Sequence, residues 1–155
     1  MVFYELVAQG KEKEAAREHL RRISTHIIDN GWLLRDVSGK PTIGYGHLLR
    51  KGESFGKIDE AEATRILCGD LETAEACIES CVDAPITQGQ FDALCSFVYN
   101  LGCARLKTST LLRRLNAGDY TGARDEFTKW SFVGQNHVAG LLRRRIAEQM
   151  LFDAQ

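Results

Sequence analysis

No helix can run through residues 32–50, WLLRDVSGKPTIGYGHLLR, and this constrains the fold more than any other feature of the chain. Pro41 fixes its own φ and has no amide proton to donate, and Gly39, Gly44 and Gly46 stand on either side of it. Strand-forming residues lie between these breakers. The stretch therefore reads as two or three short antiparallel strands joined by tight turns.

On both sides of it the apolar spacing is helical. Ala16, Leu20, Ile23 and Ile27 make one stripe over residues 11–29, and the charged residues between Lys11 and Arg22 occupy the other faces. Asn30-Gly31 ends that helix. Residues 58–82 form a second, longer helix with Asp59 as cap and Glu62 three residues on, and its apolar face runs from Ile58 and Ala61 through Ile66, Leu67, Leu71, Ala74 and Ile78 to Val82. After Pro85, Thr87 caps a helix over 88–101 that Gly102 ends, and further helices follow over 108–117, 119–130 and 138–152. The expected fold class is α+β and mainly helical, as a single two-lobed domain over 1–155. Residues 1–57 supply the N-terminal helix and a β lobe, 58–82 a linking helix, and 83–155 a helical lobe.

Charge and cysteine content narrow the function. Twenty Lys and Arg nearly cancel 21 Asp and Glu, which gives no footprint for nucleic acid or an anionic membrane. No apolar run is long enough to span a bilayer. The opening MVFYELVAQG is too short and too polar for a secretory signal. The chain is expected to stay in the cytoplasm of the cell that makes it until something releases it. Its five cysteines lack C-x-x-C and zinc-finger spacing, so no metal is expected. They read as small buried residues of a reduced protein. Nothing resembles a nucleotide loop, and no cofactor is expected.

Five blocks occur in order: D-x-x-G-x-x-TIGYGH at 36–47, EAEATRILCGDL at 60–71, ITQGQFDALCSFVYNLG at 86–102, STLLRRLNAGDY at 109–120 and GLLRRRIAE at 140–148. From Asp36 to the C-terminus the chain resembles the phage lysozyme (endolysin) family, glycoside hydrolase family 24. The resemblance implies a two-lobed fold with the substrate between the lobes. It also implies hydrolysis of the β-1,4 bond between N-acetylmuramic acid and N-acetylglucosamine in peptidoglycan. The partner is then the bacterial wall, and the protein is expected to act as a monomer after release.

Glycoside hydrolysis needs one protonated acid and one ionised carboxylate. The family uses a Glu at the end of its first helix, an Asp nine residues later and a Thr six residues after the Asp. Asp36 and Thr42 match the last two. Ile27 stands where the Glu belongs, and residues 1–31 do not resemble the family and read as a foreign N-terminal segment. Asp29 is the nearest replacement acid: at the C-terminal end of a helix, the dipole disfavours its charged form and raises its pKa. The resemblance also makes Leu48, Tyr99, Asn100 and Ser109 groove candidates, and it pairs His47 with Asp70. Arg143, Arg144 and Arg145 point in different directions from one helix, and the set offers both attraction for an anionic wall and a structural role. Two readings stay open, an active muramidase and an inactive peptidoglycan-binding module on the same fold.

Overall fold

Pro41 opens the middle strand of a small sheet, where its missing amide proton does least harm. In the computed structural model this sheet has the order β1 (Leu34–Arg35), β2 (Pro41–Ile43), β3 (His47–Leu48), antiparallel throughout. Thr42 lies opposite Leu34 on one side and Leu48 on the other. The structure describes residues 34–35 and 39–154. The helix expected over 11–29, with Ile27, Asp29 and Asp36, lies outside the described residues.

The β2–β3 turn needs its glycines. Gly44 has φ +60° and Gly46 φ +103°, a region costly for side chains with a Cβ. The Gly46 amide closes the turn on the Ile43 carbonyl at 3.3 Å. Gly44 is also a point of close approach, since a Cβ there would lie 3.3 Å from the Ala63 Cβ. The turn can therefore press against the next helix.

That helix, α1 (Glu60–Cys81), starts where the Asp59 carboxylate accepts the Glu62 amide at 2.8 Å. Its buried face is Ala63, Leu67, Ala74, Cys77 and Ile78. Ala61, expected on that face, is exposed. Then follow α2 (Gln88–Leu101), α3 (Cys103–Lys107), α4 (Thr110–Asn116), α5 (Tyr120–Glu126), a 3-10 turn (Phe127–Trp130), a hairpin of β4 (Phe132–Val133) and β5 (Asn136–His137), and α6 (Ala139–Phe152). Thr87 and Gln90 form a reciprocal capping box at the start of α2. Helix α3 and the β4–β5 hairpin were not expected, and they fill the gaps left between the expected helices 88–101 and 108–117 and between 119–130 and 138–152. The core of the helical lobe is Leu94, Phe97, Leu106, Leu111, Leu115 and Phe127, all fully buried. Phe97 meets Phe127 and Trp130 edge to face, with ring centroids 5.7 and 5.4 Å apart.

The cysteines correct the expectation of a wholly reduced chain. Cys77 of α1 and Cys103 of α3 form a disulfide, with Cα atoms 5.9 Å apart, while Cys68, Cys81 and Cys95 are free. The two partners are 26 residues apart in sequence and meet only because α3 packs against α1. Closing a loop of that length removes unfolded-chain entropy worth about 3 kcal/mol. Replacing both residues by Ser should lower the unfolding free energy by about that amount in a denaturant titration. Treating the parent chain with reductant should do the same. Equal stability of the oxidised and reduced parent would show that the link does not stabilise the fold.

Candidate active site

Thr42 sits at the middle of β2, 8% exposed, with Leu48 opposite it on β3 and 44% exposed. These two candidates are side by side in the sheet. Asp36 follows β1 directly in the chain, but both it and Asp29 fall outside the described residues.

His47 opens β3 and is buried. Its Nδ1 lies 2.7 Å from Asp70 Oδ2 on α1, the expected pair. Its Nε2 lies 3.2 Å from Glu53 Oε2, a partner the sequence did not reveal. The Arg50 amide donates to the same Glu53 oxygen at 2.7 Å. Two ring nitrogens that both face carboxylates are satisfied together only by the imidazolium form, which donates from both. Burial of the ring works against that charge, but the hydrogen bonds and charges of Asp70 and Glu53 outweigh it and hold the His47 pKa above its ordinary 6.5. The Arg50 amide, and then His47, lower the pKa of Glu53. His47 thus fastens the hairpin to α1, and both its nitrogens are engaged in doing so.

Tyr99, near the end of α2, donates its hydroxyl to the Tyr45 carbonyl in the β2–β3 turn at 2.8 Å. The Arg144 guanidinium carbon stands 6.0 Å from the centre of its ring. Asn100 is exposed, and its Oδ1 accepts from Arg145 at 3.0 Å. Ser109 caps α4: its hydroxyl accepts the Leu112 amide at 3.0 Å and donates to the Leu106 carbonyl at 2.7 Å. The groove candidates therefore divide. Thr42, Leu48 and Tyr99 gather at the hairpin, Asn100 faces α6, and Ser109 is buried as a cap.

The three arginines of α6 are not equivalent. Arg143 is exposed, Arg144 is half-buried and Arg145 is fully buried. Arg145 donates to the equally buried Glu148 at 2.8 Å, and Arg144 reaches the same Glu148 oxygen at 3.4 Å and Ser96 Oγ at 3.2 Å. Ser96 donates its hydroxyl to that oxygen as well. Burial raises the Glu148 pKa against the pull of the Arg145 and Arg144 charges. A proton donor must reach the substrate, and a carboxyl with no exposed surface does not. The i, i+3 and i, i+4 spacing of Glu148 from Arg145 and Arg144 is the signal that could have shown this network. No group of three or more His, Cys, Asp or Glu side chains among the described residues is placed to hold a metal ion.

The chain is similar to several known proteins. The Phage lysozyme family model matches residues 32–148. The endolysin of Acyrthosiphon pisum secondary endosymbiont phage 1 is 41% identical over 123 residues, covering 76% of this chain and 82% of that protein. The muramidase domain of SpmX from Asticaccaulis excentricus superimposes with TM-score 0.73 at 31% identity, covering 90% of this chain and 97% of that one. A P22 lysozyme variant does so with TM-score 0.68 at 33% identity, over 88% and 96%.

The His47 site has a pH signature. Its contribution to stability should be fully present below the ordinary pKa of 6.5 and lost as pH rises through the raised folded value. Glu53 behaves in the opposite sense, and its share is lost as pH falls through its lowered folded value. An NMR titration should find the His47 pKa above 6.5 and see it fall in Asp70→Asn. An unchanged His47 pKa in that variant would mean that the ion pair does not form in solution.

Proposed function

The chain belongs to the phage lysozyme family, whose model spans both the β2–β3 hairpin and the helical lobe, and from that premise we infer how its residues divide the work of hydrolysis. It is a glycoside hydrolase of peptidoglycan, a lysozyme that cuts the bond between N-acetylmuramic acid and N-acetylglucosamine. The match across 32–148 is the observation that carries this reading, because it runs through both the β2–β3 hairpin and most of the helical lobe, between which the family's substrate cleft is expected.

Within that cleft Asp36 supplies the ionised carboxylate, and Thr42 helps hold the attacking water. Thr42 is well suited to this, since its strand is held on both sides and its turn is tied to α1 and α2. Asp29 supplies the proton to the leaving oxygen. Glu148 does not compete for that role, being enclosed by Arg144, Arg145 and Ser96. Leu48, exposed beside Thr42, offers an apolar surface to a sugar ring. The enzyme works as a monomer on the wall, after release from the cytoplasm that made it, and needs no cofactor. Among the described residues no helix is long and apolar enough to cross a membrane.

Clearing of a peptidoglycan suspension tests the activity. The chain should clear it, and should do so equally in a chelator; a chain that binds the wall without clearing it would be the inactive module. Asp36→Asn should remove most of the activity while leaving the unfolding curve of the parent.

Asp29→Asn tests the donor separately. The amide still hydrogen-bonds but gives up no acid proton, and general acid catalysis typically contributes about two to four powers of ten. A loss of that size assigns the role to Asp29. Activity near that of the parent would pass the role to another acid.

A further inference from the structure

Among the described residues two polar contacts tie the β2–β3 hairpin to the helices. His47 binds Asp70 on α1, at 2.7 Å. The Tyr99 hydroxyl binds the Tyr45 carbonyl from α2, at 2.8 Å. They reach different parts of the fold, because α1 is the linking helix and α2 belongs to the helical lobe. A small sheet held at one point can pivot about it. A second point on another helix removes that freedom.

Tyr99 is itself held from behind. Arg144 stands over its ring at 6.0 Å. Arg144 is bonded in turn to the hydroxyl and carbonyl of Ser96, at 3.2 and 3.4 Å, and to the buried Glu148 at 3.4 Å. The ring is therefore backed by charges rooted between α2 and α6. On its other side the hydroxyl lies against the turn, where a Cβ on Gly46 would be 3.7 Å from it. An aromatic that recognises sugar by stacking needs an open face and no particular hydroxyl partner. Here one face meets a guanidinium and the hydroxyl is spent on a backbone carbonyl.

We propose that Tyr99 is a positioning residue for the hydrolysis, latching the Thr42 hairpin to the helical lobe so that the two walls of the cleft keep one spacing. This rests on the reading of that hairpin as a wall of the substrate cleft. Tyr45 is three residues beyond Thr42, so a shift at the latch is passed to Thr42 with little loss. Misplacing a reacting group by about 1 Å is enough to cost roughly a hundredfold in rate.

The test is Tyr99→Phe in the full chain, which keeps the ring and removes only the hydroxyl. Two measurements are needed: steady-state cleavage of purified, uncrosslinked peptidoglycan strands, and backbone hydrogen exchange without substrate. The latch predicts a fall in kcat of about tenfold with KM within about twofold, the signature of lost transition-state geometry. It also predicts faster exchange of the amides at 44–47 with those at 93–98 unchanged. A rise in KM with kcat intact would make Tyr99 a sugar contact and overturn the proposal, as would a kcat equal to that of the parent. Unchanged exchange at 44–47 overturns the latch whatever the activity. A parent chain that cleaves nothing overturns the functional reading itself, and with it the positioning role given to Tyr99.

Discussion

The interaction on which the rest of the structure depends is the ion pair of Arg145 and Glu148, neither of which has any exposed side-chain surface. Removing two charges from water costs several kcal/mol for each, and the pair is tolerable only when both partners and their hydrogen bonds are present. Here the carboxylate oxygen gathers Ser96 from α2 together with Arg144 and Arg145 from α6, and Arg145 reaches on to Asn100. An apolar seam would tolerate several registers of α6 against α2. A charge that must find three donors allows far fewer. That register sets where Arg144 emerges, hence where Tyr99 is held, and through Tyr99 where the hairpin lies.

The hairpin illustrates how a conspicuous residue can be misjudged. A histidine beside the candidate Thr42 strand invites a role in proton transfer. The geometry assigns it another one: with Asp70 on one nitrogen and Glu53 on the other, its proton is held rather than exchanged. In the mechanism proposed above, the chemistry is left to Asp36, Thr42 and Asp29. Gly44 contributes by omission, since the close packing of the turn on Ala63 leaves little space for a side chain.

Much of this was legible in the sequence because it is written in local chemistry. Pro41 and the glycines announced the strands, Asp59 and Thr87 announced the helix starts, and Gly102 the end of α2. The His47–Asp70 pair followed from the family resemblance and formed as expected. What stayed hidden needs the packed chain. Cys77 and Cys103 carry no spacing signal, and Glu53 becomes a partner of His47 only through the loop after β3. Ser109 looked like a groove residue and is buried as a helix cap, a role that any serine before an apolar helix can fill. The β4–β5 hairpin did leave a trace, for Gly134 at φ +60° turns the chain between Val133 and Asn136, and a glycine between two short runs is a hairpin sign.

The disulfide has a consequence for how long the protein lasts. It joins α1 to α3 and shares no residue with the hairpin contacts of His47 and Tyr99. What changes is the fraction of time the chain spends open, and proteases cut the open form in proportion to its population. By the roughly 3 kcal/mol of loop closure, that population is more than a hundredfold larger in the reduced chain. The same molecule is therefore short-lived in a reducing solution and durable in an oxidising one.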